Sequence, residues 1–183
     1  MKPELRLMSI VLLVGVTFLA ATTGGLGQDD ASRPALVTRG RVGLNLAGAE
    51  LIIRRAREKA AGLKVNVNIA VVDEGGHLLA FARMDQARPA SAATAMTKAA
   101  AAATMRQPTG PTRRGDAEPD LLLNLSLQNA AAAGGGKMTA LLGGVPVIVD
   151  GQVIGATGVG GGTGGQDAEI ARAGIEALLS ELR

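Results

Sequence analysis

Two apolar runs that double back on themselves constrain this chain more than any other feature. Val65–Asp73 (VNVNIAVVD) alternates and then becomes continuously apolar, Glu74-Gly75-Gly76 follows, and His77–Met84 (HLLAFARM) returns. A second pair, Leu141–Asp150 and Gln152–Val159, closes around Asp150-Gly151. Apolar strands joined by Gly-Gly or Asp-Gly read as β-hairpins. Around them lie helical patterns. Leu44, Ala47, Leu51, Ala56, Ala60 and Leu63 recur at three-to-five-residue steps, with Gly62 as a stop. Pro89–Met105 is Ala-rich and predicts a buried helix with the proline in its first turn. Gln166–Leu182 carries an apolar stripe of Ile170, Ala173, Ala177 and Leu178.

The order helix, hairpin, helix, loop, hairpin, helix predicts an α+β domain with a mostly antiparallel sheet covered by helices. It lacks the regular alternation of a dinucleotide-binding α/β fold. Pro108, Gly110, Pro111, Gly115 and Pro119 mark Gln107–Pro119 as a loop. Leu121–Ala130 fits either a short helix or an irregular apolar segment. Ala130–Gly136 (AAAAGGG) reads as a low-complexity, flexible joint.

Composition limits how the core is built and what the chain binds. There are two Phe, no Tyr, no Trp and no Cys in 183 residues, against 26 Gly. The core must therefore be Ala, Val, Leu, Ile and Met, packed closely where glycines let backbones approach. The lack of aromatics argues against stacking single-stranded nucleic acid. A net charge of +3, with Glu50 and Glu58 among Arg54, Arg55, Arg57 and Lys59, gives no basic patch for a duplex. Absence of Cys removes disulfides, thiolate nucleophiles, iron–sulfur clusters and Cys-ligated zinc.

The N-terminus has a leader pattern. Lys2 and Arg6 precede an apolar run from Leu7 to Ala21, then small residues at Ala20–Thr23. The run is short for a spanning helix, which takes roughly 20 apolar residues, and suits a cleavable signal peptide over residues 1–27. A polar tether over 28–41 and a folded domain over 42–183 follow. The expectation is an exported protein, periplasmic or secreted, with no membrane contact once the leader is removed; an uncleaved anchor is the alternative.

The stretch NIAVVDEGGHLLAFARMD (Asn68–Asp85), Lys98 in its Ala-rich helix, and GGVPVIVDGQVIGATGVGGGTGGQDAEIARAGIEAL (Gly143–Leu178) resemble the GlcG/HbpS-like family across Leu44–Leu182. The family is related to the C-terminal module of PduO-type corrinoid adenosyltransferases. The resemblance implies a profilin-like fold, homo-oligomers from dimer to octamer, haem as a cofactor in several members, and a sensor-kinase partner for an exported one. It does not extend to the Glu-x-x-Glu iron-binding motifs of an exported relative, which this chain lacks. Thr97-Lys98 stands where the family often has Asp-Lys, keeping the lysine and not the acid.

Each candidate site residue has two readings. His77, the only histidine, is either a metal ligand to haem iron or a turn residue bonded to its loop. Gly160, Gly161 and Gly162, in the glycine run before the last helix, form either an anion nest for a propionate or a connector relieving crowding. Gln166 and Asp167 cap that helix and are also placed to touch ligand. Arg83 and Lys98 either hold a ligand carboxylate or pair structurally with Asp85. Met84, Met96, Met105 and Met138 are soft ligands or core fillers. The leading expectation is a haem or small-ligand binding protein, serving haem sensing, uptake or detoxification. One alternative is a cofactor-independent lyase or isomerase acting on a small organic acid through Lys98 or an acid near the glycine run. The other is a structural or signalling oligomer. No Gly-x-Ser-x-Gly elbow supports a serine hydrolase.

Overall fold

A computed structural model describes residues 40–183; the leader and most of the tether expected from the sequence lie outside the described residues. Eight elements follow in order: α1 (Leu46–Gly62), β1 (Asn68–Asp73), β2 (Leu78–Arg83), α2 (Ser91–Met105), α3 (Leu121–Ala133), β3 (Gly144–Val149), β4 (Gln152–Gly160) and α4 (Gly164–Glu181). The four strands form one antiparallel sheet in the order β2-β1-β4-β3. Both hairpins therefore form as expected, and the long-range pairing of β1 with β4 joins them. Asp150 (φ 50°) and Gly151 (φ 72°) both take the left-handed conformation that a tight two-residue hairpin demands. Pro146 sits in β3, an edge strand, where a missing N–H donor is tolerated.

Strand alternation splits the core in two. Ile69, Val71, Val147 and Val159 face α1 and α4, which bury Ile52, Ala56, Ile170 and Ile175 against them. Ala70, Val72 and Ala156 face α2, which answers with Ala95, Ala99, Ala102 and Ala103. The buried apolar side chains are Ala, Val, Ile and a single Leu; Met84 and Met96 pack only partly buried against this core, and Phe81 sits partly exposed on edge strand β2. On the α2 side the packing is backbone against backbone. A Cβ at Gly158 would collide with the Ala95 carbonyl and the Ala99 amide; one at Gly160 would meet the Thr94 hydroxyl at 2.5 Å and the Ser91 carbonyl at 2.7 Å. Alanine's high helix propensity and small size serve the same contact.

Several element boundaries shift by one to three residues from expectation, and three differences have a clear cause or consequence. Pro89 lies outside α2, just before its N-cap Ala90, because Ser91 and Ala92 amides donate to the Arg88 and Pro89 carbonyls in a lead-in turn. The Ala130–Gly136 run is not a joint throughout: α3 continues to Ala133, and only the glycines terminate it. Alanine and glycine share low complexity but stand near opposite ends of the helix-propensity scale. Gly160 is the last residue of β4, so the glycine connector shrinks to Gly161–Thr163. Among the described residues, no helix is long and apolar enough to cross a membrane.

Candidate functional site

The centre of the site is a buried ion pair between residues 69 apart in sequence. Lys98 Nζ donates to Asp167 Oδ2 at 2.7 Å and to the Val159 carbonyl at 2.8 Å. The two side chains are 5% and 2% exposed, so the pair is withheld from bulk water. Asp167 Oδ1 also accepts from the Gly162 amide at 2.9 Å. Two elements make this meeting possible. α2 presses flat on the glycine positions of β4 and delivers the lysine, while α4 starts three residues after β4 and delivers the acid. Gly143 (φ 121°) covers the pair; a Cβ there would come within 2.6 Å of Asp167 Cβ and 3.0 Å of Lys98 Nζ. Burying a charge is tolerable only with such a complement of partners.

Above the pair opens a cleft of about 310 Å³. Its polar wall is Arg88, Ser91, Thr94, Lys98, Asp167 and Gly162; its apolar wall is Ala90, Leu141 and Leu142. Asn68, fully buried at the start of β1, donates from Nδ2 to the Arg88 carbonyl at 3.0 Å and so fixes the backbone beneath the rim cation.

The candidate residues divide between two places. Lys98, Gly161, Gly162 and Asp167 line the cleft. Gly160 lies beside it, and its missing side chain makes room for α2. Gln166 closes a capping box with Thr163, its Oε1 accepting from the Thr163 amide at 3.0 Å while Thr163 Oγ1 accepts from the Gln166 amide. Asp167 is more than a cap, since it holds the lysine. The expected pairing with Asp85 is replaced: Lys98 takes Asp167, and no ion pair joins Asp85 to Arg83 or Lys98 among the described residues. Asp85 is exposed on the far side of α2's lead-in turn, whereas Asp167 is delivered by the close β4–α4 connection.

His77 stands elsewhere. β1 begins at Asn68, opposite Gly160, and ends at Asp73, opposite Gly155. The His77 turn is thus about 17 Å along the strand from the glycine connector, and one shared pocket for imidazole and glycines does not form within a chain. The imidazole is 83% exposed, with Nδ1 at 3.3 Å from the Asp73 carboxylate. Asp73 Oδ1 in turn accepts from the amides of Gly75 (2.9 Å) and His77 (2.8 Å). Burial pushes the Asp73 carboxyl up, but the two amides and the imidazole outweigh it and hold the group below its ordinary value. Arg83 is exposed at the opposite end of β2. Sequence reasoning missed Arg88, Ser91 and Thr94 as cleft residues; nothing local marks them, because only the β1–β4 register brings the start of α2 beside the glycine connector.

The family described as "Haem degrading protein HbpS-like" matches residues 44–176. The chain belongs to this HbpS-like family. Protein GlcG of Escherichia coli K12 is 42% identical to it over 111 residues, 61% of this chain and 76% of GlcG. Among solved structures of the same kind, the ORFY protein of Klebsiella pneumoniae superposes with a TM-score of 0.66 at 32% identity, over 80% of this chain and 99% of ORFY. PduOC, solved as a haem complex, superposes with a TM-score of 0.62 at 30% identity, over 74% and 95%. The HbpS-like fold, an antiparallel sheet with helices on both faces, is the architecture found here.

Proposed function

We propose that this HbpS-like protein binds haem and that His77 is the protein ligand to its iron. The observation that carries the reading is the imidazole held from behind. Metal-ligating histidines characteristically direct one ring nitrogen to a carboxylate, which fixes the ring and raises its basicity. With Nδ1 turned to Asp73, Nε2 is presented to solvent. Leu78 beside it is 53% exposed, offering apolar surface to a macrocycle. The residues present therefore fit the group: an oriented imidazole with open access, and no other imidazole or thiolate competing in a chain with one His and no Cys. When bound, haem would supply the iron; His77 would supply a nitrogen ligand, Asp73 its ring orientation and Leu78 flanking apolar surface. PduOC, solved as a haem complex, supports haem as the group bound.

Self-association belongs to the reading. An imidazole as exposed as His77 would leave much of a macrocycle uncovered, and a second copy of the chain would cover more of it. Helix α3 exposes Leu121 (74%) and Leu122 (75%), the surface expected at a contact between copies. The leader pattern of residues 1–27 supports export, which sets the haem exchange outside the cytoplasm.

A hemin titration tests the proposal. The native protein is expected to shift the Soret band to a saturating endpoint, His77→Ala to abolish the shift, and Asp73→Asn to weaken it. A native protein that leaves the hemin spectrum unchanged overturns it.

A further inference from the structure

We propose that the cleft above Lys98 and Asp167 is a second binding site, separate from the His77 surface, and that its ligand is a small monocarboxylate with a short apolar tail. Four observations converge on that chemistry. The volume, about 310 Å³, lies at the lower end of the range for ligand cavities and suits a small acid rather than an enclosed porphyrin. The charges lining it are Arg88, Lys98 and Asp167, which sum to one net positive charge and match one carboxylate.

The third observation is unspent donors. An ammonium group has three hydrogens; Lys98 gives one to Asp167 and one to the Val159 carbonyl, which leaves one for the cleft it lines. Ser91 is 5% exposed, lines the same cleft, and carries a hydroxyl that can donate to a ligand oxygen. Beside them α4 begins with Gly164, a first-turn amide at the positive end of the helix dipole, whose cap oxygen is already committed to Gln166. Arg88 at the rim has no carboxylate within ion-pair distance among the described residues, and its fork suits a bidentate grip on one. The fourth observation is the opposite wall. Leu141 (53% exposed) and Leu142 (46%) line the cleft with apolar surface open to solvent, so a short alkyl tail gains from lying there.

The test uses the full chain and sodium propionate as the probe, followed by calorimetric titration and by amide shifts at Gly162 and Gly164. One saturating site per chain is expected. Arg88→Ala and Ser91→Ala should each weaken binding roughly 10-fold or more, the range for hydrogen bonds to a charged group. Both side chains sit at the cleft wall, so melting temperature reports separately that each variant is folded. Arg88→Lys should recover part of the loss. His77→Ala should bind propionate as the native protein does. The inference is overturned if propionate does not saturate in the tens of millimolar, or if chloride at equal ionic strength displaces it as well as acetate does. Arg88→Ala and Ser91→Ala variants that both bind normally overturn it too, as does an affinity that falls in His77→Ala. A protein that takes propionate but leaves hemin unchanged keeps this site and loses the haem reading; the reverse result does the opposite.

Discussion

Replacing Lys98 with Met isolates the buried ion pair, because methionine keeps most of the stem while deleting the ammonium. The Asp167 carboxylate, 2% exposed, is then left with the Gly162 amide alone, and the Val159 carbonyl loses its lysine donor. Removing one partner of a buried pair costs about 3–5 kcal/mol, since the other charge stays desolvated. Unfolding entropy near 2.1 cal/mol/K per residue over roughly 140 folded residues gives ~0.3 kcal/mol per degree. The melting temperature should therefore fall by about 10–17 °C. Adding Asp167→Leu removes the stranded charge, so the double variant is expected to recover at least half of the loss rather than add to it. Calorimetry at neutral pH and one fixed protein concentration checks this, the fixed concentration removing any contribution from self-association. A Lys98→Met protein that melts within about 3 °C of native, or a double variant whose loss is the sum of the singles, would show that water screens the pair and would refute the argument from burial.

Other perturbations read other parts of the design. Gly158→Ala drives a methyl group into the α2 backbone and should cost about 1–3 kcal/mol by overpacking, seen as a lower urea midpoint. Thr163→Ala removes the α4 cap oxygen at an exposed position and should cost about 1 kcal/mol, or ~3 °C in melting temperature. Asp73 is held below its ordinary value of 3.8 in the fold, so its contribution is fully present above that pH and is lost as pH falls through the lower folded value; Asp73→Asn should flatten the acid limb of stability below about pH 4, measured by urea unfolding against pH. Leu122→Glu on the exposed face of α3 should lower the mass seen by light scattering and leave the circular dichroism spectrum unchanged.

The hairpins were legible because period-two patterning and an Asp-Gly turn are local signals, and α2 because an unbroken alanine run has few alternatives. The aromatic-free core followed from composition alone. α3 was ambiguous for a physical reason: Leu121, Leu122 and Leu125 point outward, so its apolar residues do not mark a face buried in the same chain. The site was the part hidden from sequence. Lys98, Gly161, Gly162 and Asp167 were singled out separately, but their meeting depends on β1 pairing with β4, a contact between residues about ninety apart in the chain. The same register sends His77 to the other end of the sheet. Asp85 looked like the natural partner for Lys98 by proximity in sequence, and Asp167 won because α4 starts directly behind the strand that α2 lies on.

The seating of α2 on β4 governs how the cleft can move. Where α2 crosses the glycines of β4 the contact is backbone and methyl groups, and the one long side chain that spans it near the cleft, Lys98, is pinned by Val159 and Asp167, so that part of the wall is stiff. Any opening needed to admit a ligand falls to the facing wall, where Leu141 and Leu142 lie outside regular structure next to the glycine connector. A ligand here meets Lys98 already held in place and has chiefly the exposed Arg88 side chain to order, which limits the entropic penalty of capture.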